Sequence, residues 1–377
     1  MEWSYWEQDI GWDQADLIII GGGIVGLNAA LETKRLKPEA RVIILDRGMY
    51  PIGASTRNAG FACFGSVSEL QVDVQDIGMD GMAALVEKRW EGLSALRAMH
   101  GDEALDYRSC GGFELFREGD ESLYHSALED MEAINQALHP IFGEAVFQPS
   151  HSAIDSFGFR GFIGAIHNPF EGSLHPGRMM DSLRAKCQDT GIQILGGAEV
   201  EEVSADVSHW KLRLKDGQTM RSAQVILANN GWANRFIQAP VRTVRNQVLV
   251  TEPLDQPFPE HVFHMDRGYY YLRSVDGGKR VLIGGGRHRF GEAEAKGELG
   301  TTSEVGEHLQ ELLIGHFLDD FSIAHHWSGI LGVGEVREPI IHEVEHGLFA
   351  AIRLGGMGVA IGTSVGKDVA AMAAGAH

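Results

Sequence analysis

The chain has 377 residues, 44% hydrophobic and 22% charged, an ordinary balance for a globular enzyme but long for one core, so two structural domains are expected. A formal net charge of −20 repels phosphate and argues against nucleic-acid or anionic-membrane partners. Cys63, Cys110 and Cys187 are too widely spaced for a disulfide framework or a metal-binding pattern, so no metal and a reducing, cytoplasmic compartment are expected.

The opening MEWSYWEQDIGWDQAD has neither the basic start nor the apolar core of a signal peptide, and no uncharged apolar run reaches the length of a membrane span. Its tryptophans make residues 1–14 an arm that packs onto its own domain or onto a neighbouring subunit, which leaves a homo-oligomer open.

Residues 17–32, LIIIGGGIVGLNAALE, hold the first functional signal. Leu17, Ile18, Ile19 and Ile20 predict a strand buried on both faces of a parallel sheet. Gly21, Gly23 and Gly26 then give G-x-G-x-x-G. That spacing allows a tight reversal, close approach of a pyrophosphate, and close packing of the next helix. From Ile24 and Val25 the pattern is helical, which puts free backbone N–H groups and a positive dipole end at the loop. Residues 42–45 form a second aliphatic run ending in Asp46, twenty residues after Gly26, where a carboxylate accepts from a ribose hydroxyl. These features predict a dinucleotide site without distinguishing FAD from NAD.

Helical spacing recurs over residues 82–99 and 121–138. Strand-like pieces of antiparallel character lie at 112–117, 157–166, 241–251, 268–273 and 280–284. The last two are joined through Asp276-Gly277, a strong hairpin signal. Parallel units return at 192–203 and 224–230 after a helix over 177–190. A final strand, 347–352, enters GGMG and a terminal helix. The interleaving predicts an α/β fold (α+β overall). Its Rossmann-type domain is discontinuous (15–104, 169–239, 323–377), and an antiparallel-sheet substrate domain (105–168, 240–322) is inserted into it.

Four ordered blocks resemble the D-amino-acid oxidase superfamily of FAD-dependent oxidoreductases, in its glycine oxidase-like and D-amino-acid dehydrogenase-like branch. They are LIIIGGGIVGL with Asp46, GASTRNAGF at 53–61, VILANNGWANRF at 225–236, and LGGMGVAIG at 354–362. The resemblance implies FAD as cofactor. It places FAD contacts at Gly21, Gly23, Ile24, Val25, Gly26, Asp46 and Arg47, and at Ser55, Thr56, Arg57, Asn58, Ala59, Gly60 and Phe61. Further contacts fall at Val200, Gly231, Trp232, Gly355, Gly356, Met357, Gly358 and Val359.

The residue chemistry of these blocks stands beside the resemblance. Ser55, Thr56, Arg57 and Asn58 offer donors to a pyrophosphate, or else form a polar turn capping a helix. Gly355, Gly356 and Gly358 let backbone approach a flat ring, and the following helix aims its dipole at that ring's edge. Cys63 is either a buried small hydrophobe or a covalent flavin attachment.

In GYYYLRS, Tyr269, Tyr271 and Arg273 share one strand face, with Tyr270 and Leu272 on the other. Tyr271 matches a tyrosine lining the substrate pocket in the resembled enzymes, and Arg273 either grips a carboxylate or is a solvated arginine beside sheet-packing aromatics. Those enzymes carry a carboxylate-binding arginine just after a W-x-G turn. Here Leu331 occupies that place in WSGIL, so Arg273, Arg287 or Arg337 takes over, or the substrate is not a simple amino acid.

The implied reaction is oxidation of a C–N bond in an amino acid or secondary amine, by hydride transfer to flavin N5 and hydrolysis of the imine. Two alternatives are a 2-hydroxy acid dehydrogenase using the same cofactor and a noncatalytic FAD-binding subunit of a complex.

Overall fold

In the computed structural model, which describes residues 3–376, Leu17 to Ile20 are almost wholly enclosed. Leu17 and Ile19 enter one core with the helices Ile24–Leu36, Pro176–Asp189 and Gly358–Ala374, while Ile18 and Ile20 enter another with Val200, Trp210 and Leu212. Each such side chain removed from water stabilises the fold by about 1.5–3 kcal/mol. The strand Gln14–Ile20 is therefore central, with Val42–Asp46 and Thr219–Leu227 parallel on its two sides. Gln193–Gly196 and Leu348–Ile352 extend the parallel array, and Ile340–Glu345 closes one edge antiparallel.

The second sheet runs in the order Ile323–Val333, Arg242–Thr251, Arg280–Gly285, Tyr270–Val275, Val262–Met265, Gly112–Arg117, Phe162–Asn168 and Gln148–Pro149. All neighbours are antiparallel except Val262–Met265 with Gly112–Arg117. Leu249, Tyr270, Leu272 and Ile283 turn to a core beneath the helix Ser303–His316. Val248, Val250, Tyr271 and Leu282 turn the other way, toward Ala59 and Phe61. Period-two alternation thus splits this sheet into a packing face and a face toward the first domain. Its loop of four residues, 276–279, joins Val275 to Arg280 and holds Asp276, Gly277 and Gly278 at φ +56°, +65° and +82°.

Several elements depart from the sequence expectations. Ile323–Val333 pairs along Arg242–Thr251, so it belongs to the second sheet and not to the dinucleotide domain, and WSGIL is strand rather than turn. The helix expected at 82–99 starts earlier and spans Val67–His100, interrupted at Gly78 (φ +76°). Ser66 N–H donates to Glu69 Oε2 at 3.2 Å and begins it. Residues 157–166 are not one strand. A helix, His151–Phe157, ends at left-handed Gly158, and the strand follows as Phe162–Asn168. Val200–Asp206 pairs antiparallel with His209–Leu214 instead of continuing the parallel unit.

Of the N-terminal arm, Met1 and Glu2 lie outside the described residues. Trp3 packs on its own domain, its Nε1–H donating to the Thr219 carbonyl at 2.7 Å, whereas Trp6 is 73% exposed. No helix among the described residues is long and apolar enough to cross a membrane.

Helix Ile24–Leu36 sits so close to its strand that a Cβ on Gly26 would lie 2.0 Å from the Gly21 carbonyl oxygen. Gly21 makes the reversal at φ +115°. Gly26→Ala must push backbone apart, so thermal unfolding should show a loss of at least about 1–3 kcal/mol. An unchanged melting temperature would contradict this packing.

Candidate functional site

Two cavities meet where the sheets face each other. A cleft of about 150 Å³ lies at the carboxyl ends of the first sheet's strands, and a cavity of about 490 Å³ lies between the strip 54–61 and the second sheet. Ala54, Asn58, Leu331, Gly356 and Val359 line both, so the two volumes are neighbours through one wall.

Gly21, Gly23, Ile24 and Val25 line the cleft, while Gly26 stands behind it in the packing contact. Asp46 lines it too. Its Oδ2 accepts from Gly22 N–H at 2.8 Å and its Oδ1 from Gly48 N–H at 2.9 Å, which fixes the carboxylate at the strand end. An ionised carboxylate has further lone pairs for a hydroxyl. Val200 forms another wall. Arg47 lies with Cζ 4.0 Å over the Trp232 ring, and burial draws its guanidinium below the ordinary range. Gly231 is not in the wall; it packs behind, near the Leu331 carbonyl.

The segment 55–61 divides its side chains among three spaces. Ser55 Oγ accepts from Ile24 N–H at 3.0 Å, which meets that backbone donor within the protein and leaves the Ser55 hydroxyl proton to donate. Thr56 donates to the Pro51 carbonyl at 2.6 Å and faces a third cavity of about 620 Å³. Arg57 lines the 490 Å³ cavity and donates from Nη1 to the Ser328 carbonyl at 3.2 Å. Asn58 is held by Ala54 and Ser55 carbonyls through Nδ2, and its Oδ1 accepts from Gly60 N–H. Thr56 and Arg57 therefore do not join Ser55 at the glycine loop. Residues 54–57 form a helical turn, which sends successive side chains about 100° apart.

Ala59 and Phe61 line the 490 Å³ cavity, with Gly355, Gly356, Met357 and Val359 opposite, while Gly60 is outside it. Gly358 borders the cleft and Gly356 borders both volumes. Gly356 has φ +98°, and a Cβ there would meet only Leu331 Cδ1, at 4.0 Å, so the open space before this bend is space a side chain would fill.

Tyr271 projects into the same cavity. Phe61 packs edge-on to it with centroids 5.6 Å apart, and Asn246 Nδ2–H donates to its hydroxyl oxygen at 2.6 Å. Burial raises the phenol above its ordinary range. Arg273 shares the Tyr271 strand face but is not in this cavity. Its Nε–H and Nη2–H donate to the Ala59 and Leu174 carbonyls at 2.6 and 3.0 Å, and it borders the third cavity. Burial pulls it down to about 10. Of the three arginines weighed for a carboxylate, Arg287 and Arg337 line the cavity with Tyr271 and Leu331, and Arg273 does not.

No sequence motif announced the buried group beneath Phe61. His264 Nε2 lies 2.9 Å from Glu171 Oε2 and its Nδ1 lies 4.0 Å from Glu69 Oε2, all enclosed. Burial pushes the imidazolium down, but the charge and hydrogen bond of Glu171, with Glu69 and Glu114, outweigh it and hold the ring up at about 9. Burial raises Glu114 to about 7, against its bond from Ser68. Cys63 completes the cluster, its ligand atom within 4.8 Å of those of Glu171 and His264. The sequence spacing held no metal pattern, yet the fold gathers a Cys-Glu-His group. Carboxylates toward both ring nitrogens of His264 favour its imidazolium form, the form without a lone pair for a metal. Burial, then Glu171, raises the Cys63 thiol, which borders the 490 Å³ cavity.

The profile of the DAO family, FAD dependent oxidoreductases, matches residues 16–372. The chain belongs to this family: it is an FAD-dependent oxidoreductase. Among curated relatives it is similar to the bifunctional protein ThiO/ThiG of Synechocystis sp., with 26% identity over 72% of this chain and 38% of that protein. It thus spans well under half of that relative's length. Among solved structures it resembles iminodiacetate oxidase from Chelativorans sp., with TM-score 0.78, 20% identity and 95% of each chain covered. It also resembles glycine oxidase from Geobacillus kaustophilus, with TM-score 0.72, 19% identity, and 96% of this chain and 95% of that one covered. At such identities the structures share the fold. Since FAD is the cofactor, the open glycine bend, the cleft at the strand ends and the fixed Asp46 carboxylate give a cradle that fits it.

The His264 cluster has a sign in pH. A folded value near 9 against an ordinary 6.5 adds stability that is complete below about pH 6.5 and lost as pH rises through 9. Glu114, raised from 4.5 to about 7, acts in the same direction over the lower window. Thermal or urea unfolding should show stability falling from pH 6.5 to 9. His264→Gln should flatten that fall, at a cost of a few kcal/mol at neutral pH. A pH profile identical in the variant would refute the ion-paired imidazolium.

Proposed function

We propose that this FAD-dependent oxidoreductase oxidises the C–N bond of an amino acid or secondary amine. The observation that carries the reading is the 490 Å³ cavity, which pairs the Gly355–Met357 bend and Phe61 with a wall bearing Tyr271, Asn246 and Arg287. In this reading Gly21, Gly23, Ile24, Val25 and Asp46 hold the dinucleotide half, Arg47, Val200 and Trp232 enclose it, and Ser55 and Asn58 brace the strip beside it. Gly355, Gly356, Met357, Gly358 and Val359 receive the ring system.

FAD, when bound, supplies the acceptor for a hydride from the carbon beside the substrate nitrogen. The protein's own part is positioning in a dry space. Phe61, Tyr271 and Leu331 exclude water, and the polar groups of the second sheet orient the amine. The resulting imine hydrolyses in water to a carbonyl compound and ammonia or a smaller amine. The amine and amino-acid oxidases among the similar structures support the choice of C–N over C–O chemistry.

The purified chain should be yellow. Anaerobic addition of amino acids and secondary amines should bleach its visible flavin band, whereas 2-hydroxy acids should not. Bleaching by hydroxy acids alone would overturn the C–N reading.

A further inference from the structure

A short ladder gathers the enclosed group beneath Phe61. Phe61–Ala62 runs antiparallel to Gly172–Ser173 with Ala62 opposite Gly172, so one step further along that register Cys63 faces Glu171. His264, from the strand Val262–Met265, closes the third side. The Cys63 sulfur, a ring nitrogen of His264 and a carboxylate oxygen of Glu171 all lie within 4.8 Å of one another, and all three residues are buried.

The surroundings are shaped to these groups. Glu171 is 1% exposed, and its Oε1 has no hydrogen-bond partner among the described residues. A carboxylate oxygen left so is costly, and a cation is the partner it lacks. Glycine admits each acid: a Cβ on Gly112 would lie 1.8 Å from Glu171 Oε2, and one on Gly268 would lie 2.4 Å from Glu69 Oε1. Glu69 Oε2 stands 4.0 Å from His264 Nδ1, while Glu171 meets Nε2. A carboxylate behind the second ring nitrogen is the arrangement that orients a metal-bound histidine. The Gly65 backbone hydrogen-bonds to Cys63 in the sense that favours a thiolate. Cys63 and His264 both border the 490 Å³ cavity, which supplies a path of entry and room for one more ligand.

We propose that Cys63, Glu171 and His264 bind one zinc ion through Sγ, a carboxylate oxygen and Nε2, with Glu69 behind the ring and the fourth position open to the cavity. Thiolate, imidazole and carboxylate together are a donor set that suits zinc. Binding exchanges protons for metal: the Nε2–H and S–H protons leave as the dication enters. The imidazolium that the carboxylates favour is the other side of that exchange. Two positive charges replace two, so the net charge of the enclosed group is unchanged and no further charge is buried. No step of the C–N oxidation reading uses this ion, and either proposal can fail alone.

The test uses the FAD-loaded protein, dialysed against a chelator and then titrated with zinc in competition with a chromophoric chelator. One zinc per chain should bind, with release of about two protons near neutral pH. Cobalt in place of zinc should add a thiolate-to-cobalt charge-transfer band to the difference spectrum, a measurement that needs no variant. Cys63→Ser and His264→Gln should each weaken zinc by about 100-fold or more, and Glu69→Gln by at least about tenfold. Cys187→Ser, whose thiol donates to the Leu27 carbonyl, should leave zinc affinity unchanged. Flavin content and melting temperature report which variants are folded. Equal zinc affinity in folded Cys63→Ser or His264→Gln, a cobalt spectrum without the thiolate band, or no saturable binding by the unaltered chain would overturn the assignment.

Discussion

The site depends on how one short strip, residues 53–61, is clamped between the two sheets. Its backbone is held from the second sheet by Arg273 at the Ala59 carbonyl and by Trp327 Nε1–H at the Arg57 carbonyl, 3.1 Å away. From the other side, Leu174 N–H donates to the Gly60 carbonyl, and Ser55 closes onto the start of the glycine-loop helix. Between the helical turn 54–57 and the short strand Phe61–Ala62 the strip's backbone has no ladder, so each of these bonds replaces one that water would otherwise make. Arg273 does structural work at a point where a substrate role was expected. Its two carbonyl contacts fix the distance between the strip and Tyr271, and with it the width of the cavity.

Charge in and around this cavity is arranged in two regimes. Around the start of the helix Val67–His100 the buried ions are paired. Arg89 lies 3.1 Å from Asp73 with both side chains enclosed, Arg337 adds a second cation beside Asp73, and Glu69 passes the chain on to His264 and Glu171. Only Arg89 Nε and Glu171 Oε1 of these ions are buried without a hydrogen-bond partner among the described residues, so the network has little capacity to take up a ligand's charge. On the second-sheet side the reverse holds. Among the described residues, no hydrogen bond or ion pair engages the Arg287 guanidinium, the Tyr271 proton or Asn246 Oδ1. A net charge of −20 over the whole chain says nothing about this local cationic feature.

What was legible in the sequence was local. The double burial of residues 17–20 follows from a run of large aliphatics, the Asp276-Gly277 hairpin from residues that tolerate φ above zero, and the tight Gly21–Gly26 corner from glycine spacing. What was not legible depended on pairing between distant segments. Ile323–Val333 looks like a strand in either sheet, and only its register along Arg242–Thr251 decides which. Glu69, Glu171 and His264 are unremarkable in sequence and become one cluster only when three elements converge. The polar run Ser55 to Asn58 was misleading for a third reason. Composition suggested four donors to one phosphate, but a helical turn cannot aim four consecutive side chains at one point.

The same contrast explains why the leucine at position 331 is informative. An arginine there would approach the cavity from the first-domain side of the second sheet, beside Arg57 and close to the strip. Leucine instead continues an apolar wall that also borders the dinucleotide cleft. Earlier in the chain, Gly286 at φ +79° ends the strand Arg280–Gly285 and turns the chain so that Arg287 borders the cavity beside Tyr269. The strip 53–61 joins the two volumes, because its Ala54 and Asn58 line both the cleft of the first sheet and the cavity against the second.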